Sequence, residues 1–351
     1  MLDKRIESGD LSREEIIFLL SLEEDEDVAR LFAAADRVRR ACCGDGVHLR
    51  GLIEFSNICA RNCDYCGLRR DNRKVRRYRM SPEEVIDTSV AVVKKGISTV
   101  VLQSGEDSWY TAERMADIIR AIKSQAACAI TLCIGERSFE DYRVMKEAGA
   151  DRYLLRHETA NPHLYHRLHP DMRFEDRVRC LHDLKALGYQ VGAGGMVGLP
   201  GRAIEDMADD AIFVRDLDAD MVGIGPFIPH PDTPLSGHPG GALDMTLKMV
   251  AVTRIVTRNA HIPATTAVGS IDAYGREKAL MAGANVVMPN YTPLEYRVNY
   301  EIYPNKRCTA EDPAACHGCM RARIESIGRS IAEGPGHSLK AVNVKGRLCR
   351  V

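Results

Sequence analysis

Long apolar runs are missing from this chain of 351 residues. A membrane span needs roughly 18 or more consecutive apolar residues, and no segment comes near that, so no membrane role is expected. An excess of one charge is missing too. Lys plus Arg number 48 against 49 Asp plus Glu, a net charge of −1, which gives no footing for a dedicated nucleic-acid binder. The N-terminus, Met1-Leu-Asp-Lys-Arg-Ile-Glu7, carries charges where a secretory signal needs an apolar stretch. The expectation is a cytoplasmic protein whose thiols stay reduced. Its 12 Cys then call for a use other than disulfides, with metal or cluster ligation first. No Pro- or Ser-rich linker divides the chain, and its length suits one large barrel or two modest domains.

Residues 1–45 show polar and apolar residues at helical spacing, such as Ile16, Ile17, Leu19 and Leu20, then Val28, Leu31 and Phe32. After them apolar, strand-like runs recur at Leu49–Phe55, Thr99–Gln103, Ala129–Ile134, Arg152–Arg156, Gln190–Gly194, Met221–Gly225, Ala264–Val268 and Asn285–Met288. Helical stretches alternate with them, for example Pro82–Lys95, Thr111–Lys123, Phe139–Ala148 and Phe174–Ala186. Apolar strands alternating with amphipathic helices predict a parallel sheet with helices outside. Gly96, Gly149, Gly188 and Gly283 each precede a strand, where a helix end takes a left-handed residue. Eight strand candidates in succession predict a complete (β/α)8 barrel over 46–304. It would carry an N-terminal helical extension, 1–45, and a C-terminal Cys-containing extension, 305–351, with a helix at Met320–Ala332. A doubly wound open sheet is the alternative, but its nucleotide fingerprint fails, because Gly192-Ala-Gly194 is followed by Val197 where a third Gly is required.

The most informative run is Asn57-Ile-Cys-Ala-Arg-Asn-Cys-Asp-Tyr-Cys-Gly67, with Cys59, Cys63 and Cys66 in C-x3-C-x2-C spacing. A 4Fe–4S cluster usually takes four Cys, so three leave one iron open, and an open position is where metal chemistry happens. A structural zinc loop would need a fourth Cys or His nearby. With Tyr65 just before the third cysteine, the loop resembles the signature of the radical S-adenosylmethionine (SAM) enzymes. That resemblance implies a 4Fe–4S cluster whose open iron is chelated by SAM. In a barrel the functional groups sit at the C-terminal strand ends. There the resemblance implies that Gly105 and Glu106 meet the methionine ammonium and Glu158 takes the ribose hydroxyls. It also implies that Gly195 and Met196, in the stretch to Pro200, line the adenine, and that Arg177 faces the methionine carboxylate. No side chain receives a catalytic role beyond the cluster and SAM.

Within that family the barrel motifs are similar to biotin synthase, to methylornithine synthase and above all to the HydE-type maturases of the FeFe-hydrogenase cluster. The strings that carry this last resemblance are Tyr78-Arg-Met-Ser-Pro82, Arg156-His-Glu-Thr-Ala-Asn161, Gly225-Pro-Phe-Ile-Pro-His-Pro-Asp-Thr-Pro234, Met288-Pro-Asn290 and Tyr303-Pro-Asn-Lys-Arg-Cys308. Biotin synthase's barrel-wall cysteines have no counterpart at Gly192 or in Tyr153–His157, and Cys133 alone cannot hold a sacrificial cluster. The maturase resemblance implies a small organometallic iron substrate carrying CO, cyanide and cysteine, passed on by other hydrogenase maturases. Substrate candidates are Arg50, Gln103, Arg156, Met221, Thr265, Thr266 and Tyr300. Cys308, Cys316 and Cys319 resemble the ligands of an auxiliary 2Fe–2S or 4Fe–4S cluster, with a zinc site completed by His317 or Cys349 as the alternative. The basic run Arg69, Arg70, Arg73, Lys74, Arg76, Arg77 and Arg79 could steer an acidic electron donor, ferredoxin or flavodoxin. Two other readings stay open, a methylornithine-type mutase and a non-catalytic iron–sulfur scaffold.

Overall fold

The computed structural model describes residues 2–307 and 313–340. Its strands are β1 (Gly46–Leu49), β2 (Gly51–Ser56), β3 (Thr99–Ser104), β4 (Ala129–Cys133), β5 (Arg152–Leu154), β6 (Gln190–Val197), β7 (Met221–Pro226), β8 (Val286–Val287) and β9 (Ser330–Ile331). β2 to β7 form one parallel sheet in chain order, and β8-β1-β9 form a second. All six residues of β2 and of β7 are buried, as expected for parallel strands covered on both faces. Register pairs such as Gly51 with Val100, Thr99 with Ala129 and Gly192 with Met221 bring the strand C-termini to one edge. The loops that follow Ser56, Ser104, Cys133, Leu154, Val197 and Pro226 therefore meet.

The helices form for local reasons. Ser81 and Glu84 make a reciprocal capping box at the start of helix Pro82–Lys94, and Ser138 with Asp141 does the same for Phe139–Glu147. In helix Ala112–Gln125, Met115, Ile118, Ile119 and Ile122 recur at helical spacing and are all buried, each such side chain contributing about 1.5–3 kcal/mol. Gly96, Gly149, Gly188 and Gly283 all have positive φ, the conformation their positions before strands required. The N-terminal helices Arg13–Leu20 and Asp25–Cys43 pack on helices Ile204–Asp216 and Leu243–Thr257. Among the described residues no helix is long and apolar enough to cross a membrane.

The expected complete barrel is met in part. The parallel α/β sheet is present, but the named strands do not close into one ring. Isolated backbone bridges join Met221 to His261, Pro263 to Val286 and Leu52 to Asn290. The expected seventh strand, Ala264–Val268, is not one, because helix Thr266–Ile271 begins inside it and Pro263 just before it has no N–H to donate. The expected tail helix Met320–Ala332 is also shifted. The helix runs Pro313–Ser326, Gly328 turns the chain at φ +74°, and Ser330–Ile331 pairs with β1.

Candidate active site

The loop after β2 carries Cys59, Cys63 and Cys66, all free thiols. It folds back on the end of β3, where the Glu106 N–H and the Arg61 N–H both point at Cys59 Sγ at 3.4 Å. A Cβ on Gly105 would lie 2.3 Å from the Ile58 carbonyl oxygen, so only glycine lets β3 approach the loop this closely. Burial pushes all three thiols up, Cys66 to about 12, and at Cys63 the other two cysteines add to the effect. Thiolates this buried need a cation beside them, and a metal deprotonates a coordinating thiol outright. Among the described residues no three His, Cys, Asp or Glu side chains converge on a single ion. A cluster asks for something different, one thiolate on each of several irons.

Beneath the loop lies a cavity of about 320 Å³ lined by Cys63, Tyr65, Cys66, Gln103, Arg156, Glu158, Met196, Thr265 and Thr266. Glu158 sits at φ +66°, a conformation that costs a non-glycine residue about 1–3 kcal/mol and persists at functional sites. Its N–H donates to Gly194 O at 2.9 Å. Arg156 Nη2 and Glu158 Oε2 form an ion pair at 3.1 Å, while Arg156 Nε and Thr265 Oγ1 have no hydrogen-bond partner among the described residues. Orphaned donors and an ion pair on the wall of a mostly apolar cavity fit a ligand with a few polar groups. Tyr65 is fixed by a 2.8 Å hydrogen bond between its hydroxyl and His169 Nε2.

Other sequence candidates reach the cavity indirectly. Glu106 accepts from Arg61 Nε at 2.5 Å and from the Glu136 N–H at 3.0 Å. Arg177 donates to Glu136 at 2.7 Å and to the Arg156 carbonyl, so Arg61, Glu106, Glu136 and Arg177 form one charged network beside the loop. Gly195 backs the Glu158 turn, where a Cβ would come 2.6 Å from the Glu158 carbonyl oxygen. Tyr300 accepts from Gln103 at 3.2 Å. Arg50 and Met221 are not brought to the cavity. Arg50 stands just before β2 and Met221 opens β7, and there Arg50 Nη1 contacts Met221 Sδ at 2.9 Å and Nη2 donates to Gly336 O at 3.2 Å. Cys308 and the Cys316 side chain lie outside the described residues, and Cys319 is exposed.

The basic run is largely engaged within the fold. Arg69 pairs with Asp64, Arg70 with Asp171, Lys74 with Asp232 and Arg79 with Asp107, while Arg77 donates to the carbonyls of Asn57, Leu68, Arg69 and Asn72. Sequence reasoning missed Glu54 and Lys306, a buried ion pair on the cavity wall, and passed over Cys133, Phe227, Met288 and Tyr303, which also line it. A lone carboxylate inside the apolar run Gly51–Ser56 was the available signal.

A cysteine loop after a strand of a parallel α/β sheet, opening on a cavity with unpaired polar groups, is a radical SAM arrangement, and the Radical SAM superfamily model matches residues 53–214. Among solved structures, a methylornithine synthase superposes with a TM-score of 0.83 at 28% identity, over 95% of this chain and 98% of that one. The 3-methylornithine synthase of Methanosarcina acetivorans is 31% identical over 304 residues, 85% of this chain and 86% of its own. The [FeFe] hydrogenase maturase subunit HydE of Thermotoga maritima is 52% identical over 326 residues, 93% of each chain. The chain belongs to the radical SAM superfamily and, within it, to the HydE-type maturases. Membership implies a 4Fe–4S cluster and SAM, and the free, half-buried cysteines, the Cβ-less approach at Gly105 and the Arg156–Glu158 pair on the cavity wall fit that combination.

Proposed function

We propose that this chain is a maturase in the assembly of the di-iron active-site cluster of FeFe hydrogenase, working in the cytoplasm beside the other maturases. Cys59, Cys63 and Cys66 would hold the 4Fe–4S cluster. SAM would lie between that loop and β6, along Tyr65, Gly105, Glu106, Glu158, Gly195 and Met196. With cluster and SAM bound, the chemistry supplied is reductive opening of the sulfonium to methionine and a 5′-deoxyadenosyl radical. The chain's own groups bind and shield. Glu158, paired with Arg156 on the cavity wall, would accept from the ribose hydroxyls. Arg177, already held by Glu136, would set the charge beside the methionine carboxylate. Phe227, Ile228 and Met288 on the cavity wall would keep water from the reacting carbon.

The substrate we propose is a small cysteine-bound iron complex carrying CO and cyanide. Arg156 and Thr265, with donors unpaired among the described residues, together with Thr266 and Gln103 would meet its anionic groups, and Tyr300 would act through Gln103. Cys308, Cys316 and Cys319 would bind an auxiliary iron–sulfur cluster. The exposed Arg73 and Arg76 would be what remains to attract an acidic electron donor. We also propose that the bridges at His261, Pro263 and Asn290 continue the sheet toward a complete barrel.

The observation that carries the function is the 52% identity to a HydE over 93% of both chains, joined to a loop of three free cysteines, two of which, Cys63 and Cys66, line the cavity. A lysate supplying the other maturases and apo-hydrogenase should yield active enzyme only when this chain and SAM are added. Equal hydrogenase activity without the chain refutes the proposal, and formation of methylornithine from lysine would favour the mutase reading instead.

A further inference from the structure

Behind Glu158, on the side away from the cavity, lies a small buried polar cluster that the proposed chemistry does not use. His157 on the loop after β5 is 1% exposed and Asp210 on helix Ile204–Asp216 is 2% exposed. Arg202, on the turn after β6, has a buried side chain and pairs with Asp210. They surround a void of about 10 Å³ together with Thr253 and Gly195, room for one water. His157 Nε2, Arg202 Nε and Thr253 Oγ1 have no hydrogen-bond partner among the described residues.

The bonds these groups do make all run to backbone around Glu158. His157 Nδ1 accepts from the Gly194 N–H at 3.2 Å, so the proton of the neutral ring sits on Nε2, 3.4 Å from Asp210 Oδ1. Asp210 Oδ1 accepts from the Ala160 N–H at 2.6 Å, and Arg202 donates to the Met196 carbonyl. Glu158, between His157 and Ala160, donates to Gly194 O. Its φ of +66° is a state the surrounding structure must hold in place. Three buried side chains thus tie the Glu158 turn, the Gly194–Met196 backbone and the helix from Ile204 into one unit.

We infer that His157, Arg202 and Asp210 are positioning residues, a buried clamp that sets the Glu158 carboxylate and the β6 backbone for the adenosine half of SAM, closed by one internal water. The inference rests on Glu158 being a SAM-binding group. Fixing a group within a fraction of an ångström takes packed and hydrogen-bonded supports behind it, and the clamp supplies them without touching the ligand.

The test compares Asp210→Ala, Asp210→Asn and Glu158→Gln in protein reconstituted to equal iron content. Asp210→Ala should raise the SAM Kd and the KM for SAM about tenfold, a loss of about 1.4 kcal/mol, with the SAM-free cluster spectrum unchanged. In the SAM-free protein the Glu158 and Ala160 amides should exchange faster with solvent. Asp210→Asn, which keeps an acceptor for Ala160, should recover most of the affinity. If Asp210→Ala does not fold, His157→Leu keeps the volume, strands the Gly194 N–H, and should show the same tenfold weakening. Weakened binding in Glu158→Gln with SAM affinity unchanged in the folded clamp variant overturns the clamp alone. Unchanged affinity in Glu158→Gln overturns the SAM role of Glu158 and the clamp's purpose with it.

Discussion

Replacing Lys306 by Met should destabilise the protein far more than loss of a surface lysine. Lys306 is 7% exposed and Glu54 1%, and the ammonium donates to the carboxylate and to Tyr300 O at 3.2 Å, 4.9 Å from the Tyr300 ring centre. Removing one partner of a buried pair costs about 3–5 kcal/mol, because the other charge is left uncompensated. Asn290 Nδ2 still donates to Glu54 Oε2 at 2.8 Å, which returns about 1 kcal/mol. The expected loss is therefore about 2–4 kcal/mol. Glu54→Gln alone should also destabilise, and the double variant should lose clearly less than the sum of the two. Urea unfolding at matched iron content reads all three, and the cycle isolates the coupling. A Lys306→Met loss below about 1 kcal/mol, the range of an exposed pair, or additivity within about 0.5 kcal/mol, would refute the reasoning.

Ala at Cys59, Cys63 or Cys66 should abolish formation of 5′-deoxyadenosine, since each thiolate is one of three proposed ligands; full cleavage in any one variant ends that assignment. Glu158→Gln should weaken SAM binding roughly tenfold or more at an intact cluster, from the loss of a charge-assisted hydrogen bond of about 1.5–3 kcal/mol, measured as SAM Kd. Burial holds His157 down to about 3 against an ordinary 6.5, so its contribution to stability is complete above pH 6.5 and is lost as pH falls toward 3. Stability should drop there by up to about 1.4 kcal/mol per pH unit from this group. A His157→Leu protein whose acid-side slope equals the parent's sinks that claim.

What could be read in the sequence was what local pattern controls. The alternation of strands and helices, the glycines at helix ends and the spacing of Cys59, Cys63 and Cys66 are short-range signals with short-range causes. Failures came where a partner lies far along the chain. Glu54 meets Lys306 across 252 positions, and no periodicity announces that. The basic run after the cysteine loop reads in the sequence as a steering surface, and its internal partners are not legible there: Arg79 is held by Asp107 and Arg70 by Asp171, pairs that only the folded loops create. Ala264–Val268 is apolar enough for a strand, but the backbone turns into helix at Thr266, and composition alone does not separate the two for so short a run.

Arg50 shows how direction along a strand decides function. Its side chain follows the same alternation as Leu52 and Glu54, both on the cavity wall, but it stands at the opposite end of the sheet. Among the described residues it has no carboxylate partner. Its neighbours are Met221 Sδ and the Gly336 carbonyl, and burial pulls its basicity down. Arg152 is satisfied in a similar way, by Pro335 O at 2.7 Å and Gly336 O at 2.9 Å, and His261 Nε2 lies 3.0 Å from His337 O. The segment 335–337 thus turns successive carbonyls toward buried nitrogens, and it can pass so close only because residue 336 is glycine, where a Cβ would lie 2.5 Å from His48 Nδ1. Carbonyl dipoles can sustain a buried guanidinium without a counter-charge when several converge. The two ends of the sheet therefore solve opposite problems. At the C-terminal edge Arg156 Nε and Thr265 Oγ1 are left without hydrogen-bond partners among the described residues, and Arg156 and Glu158 answer only each other, ready for a ligand, while at the other edge most of the polar groups are bonded to the chain's own backbone.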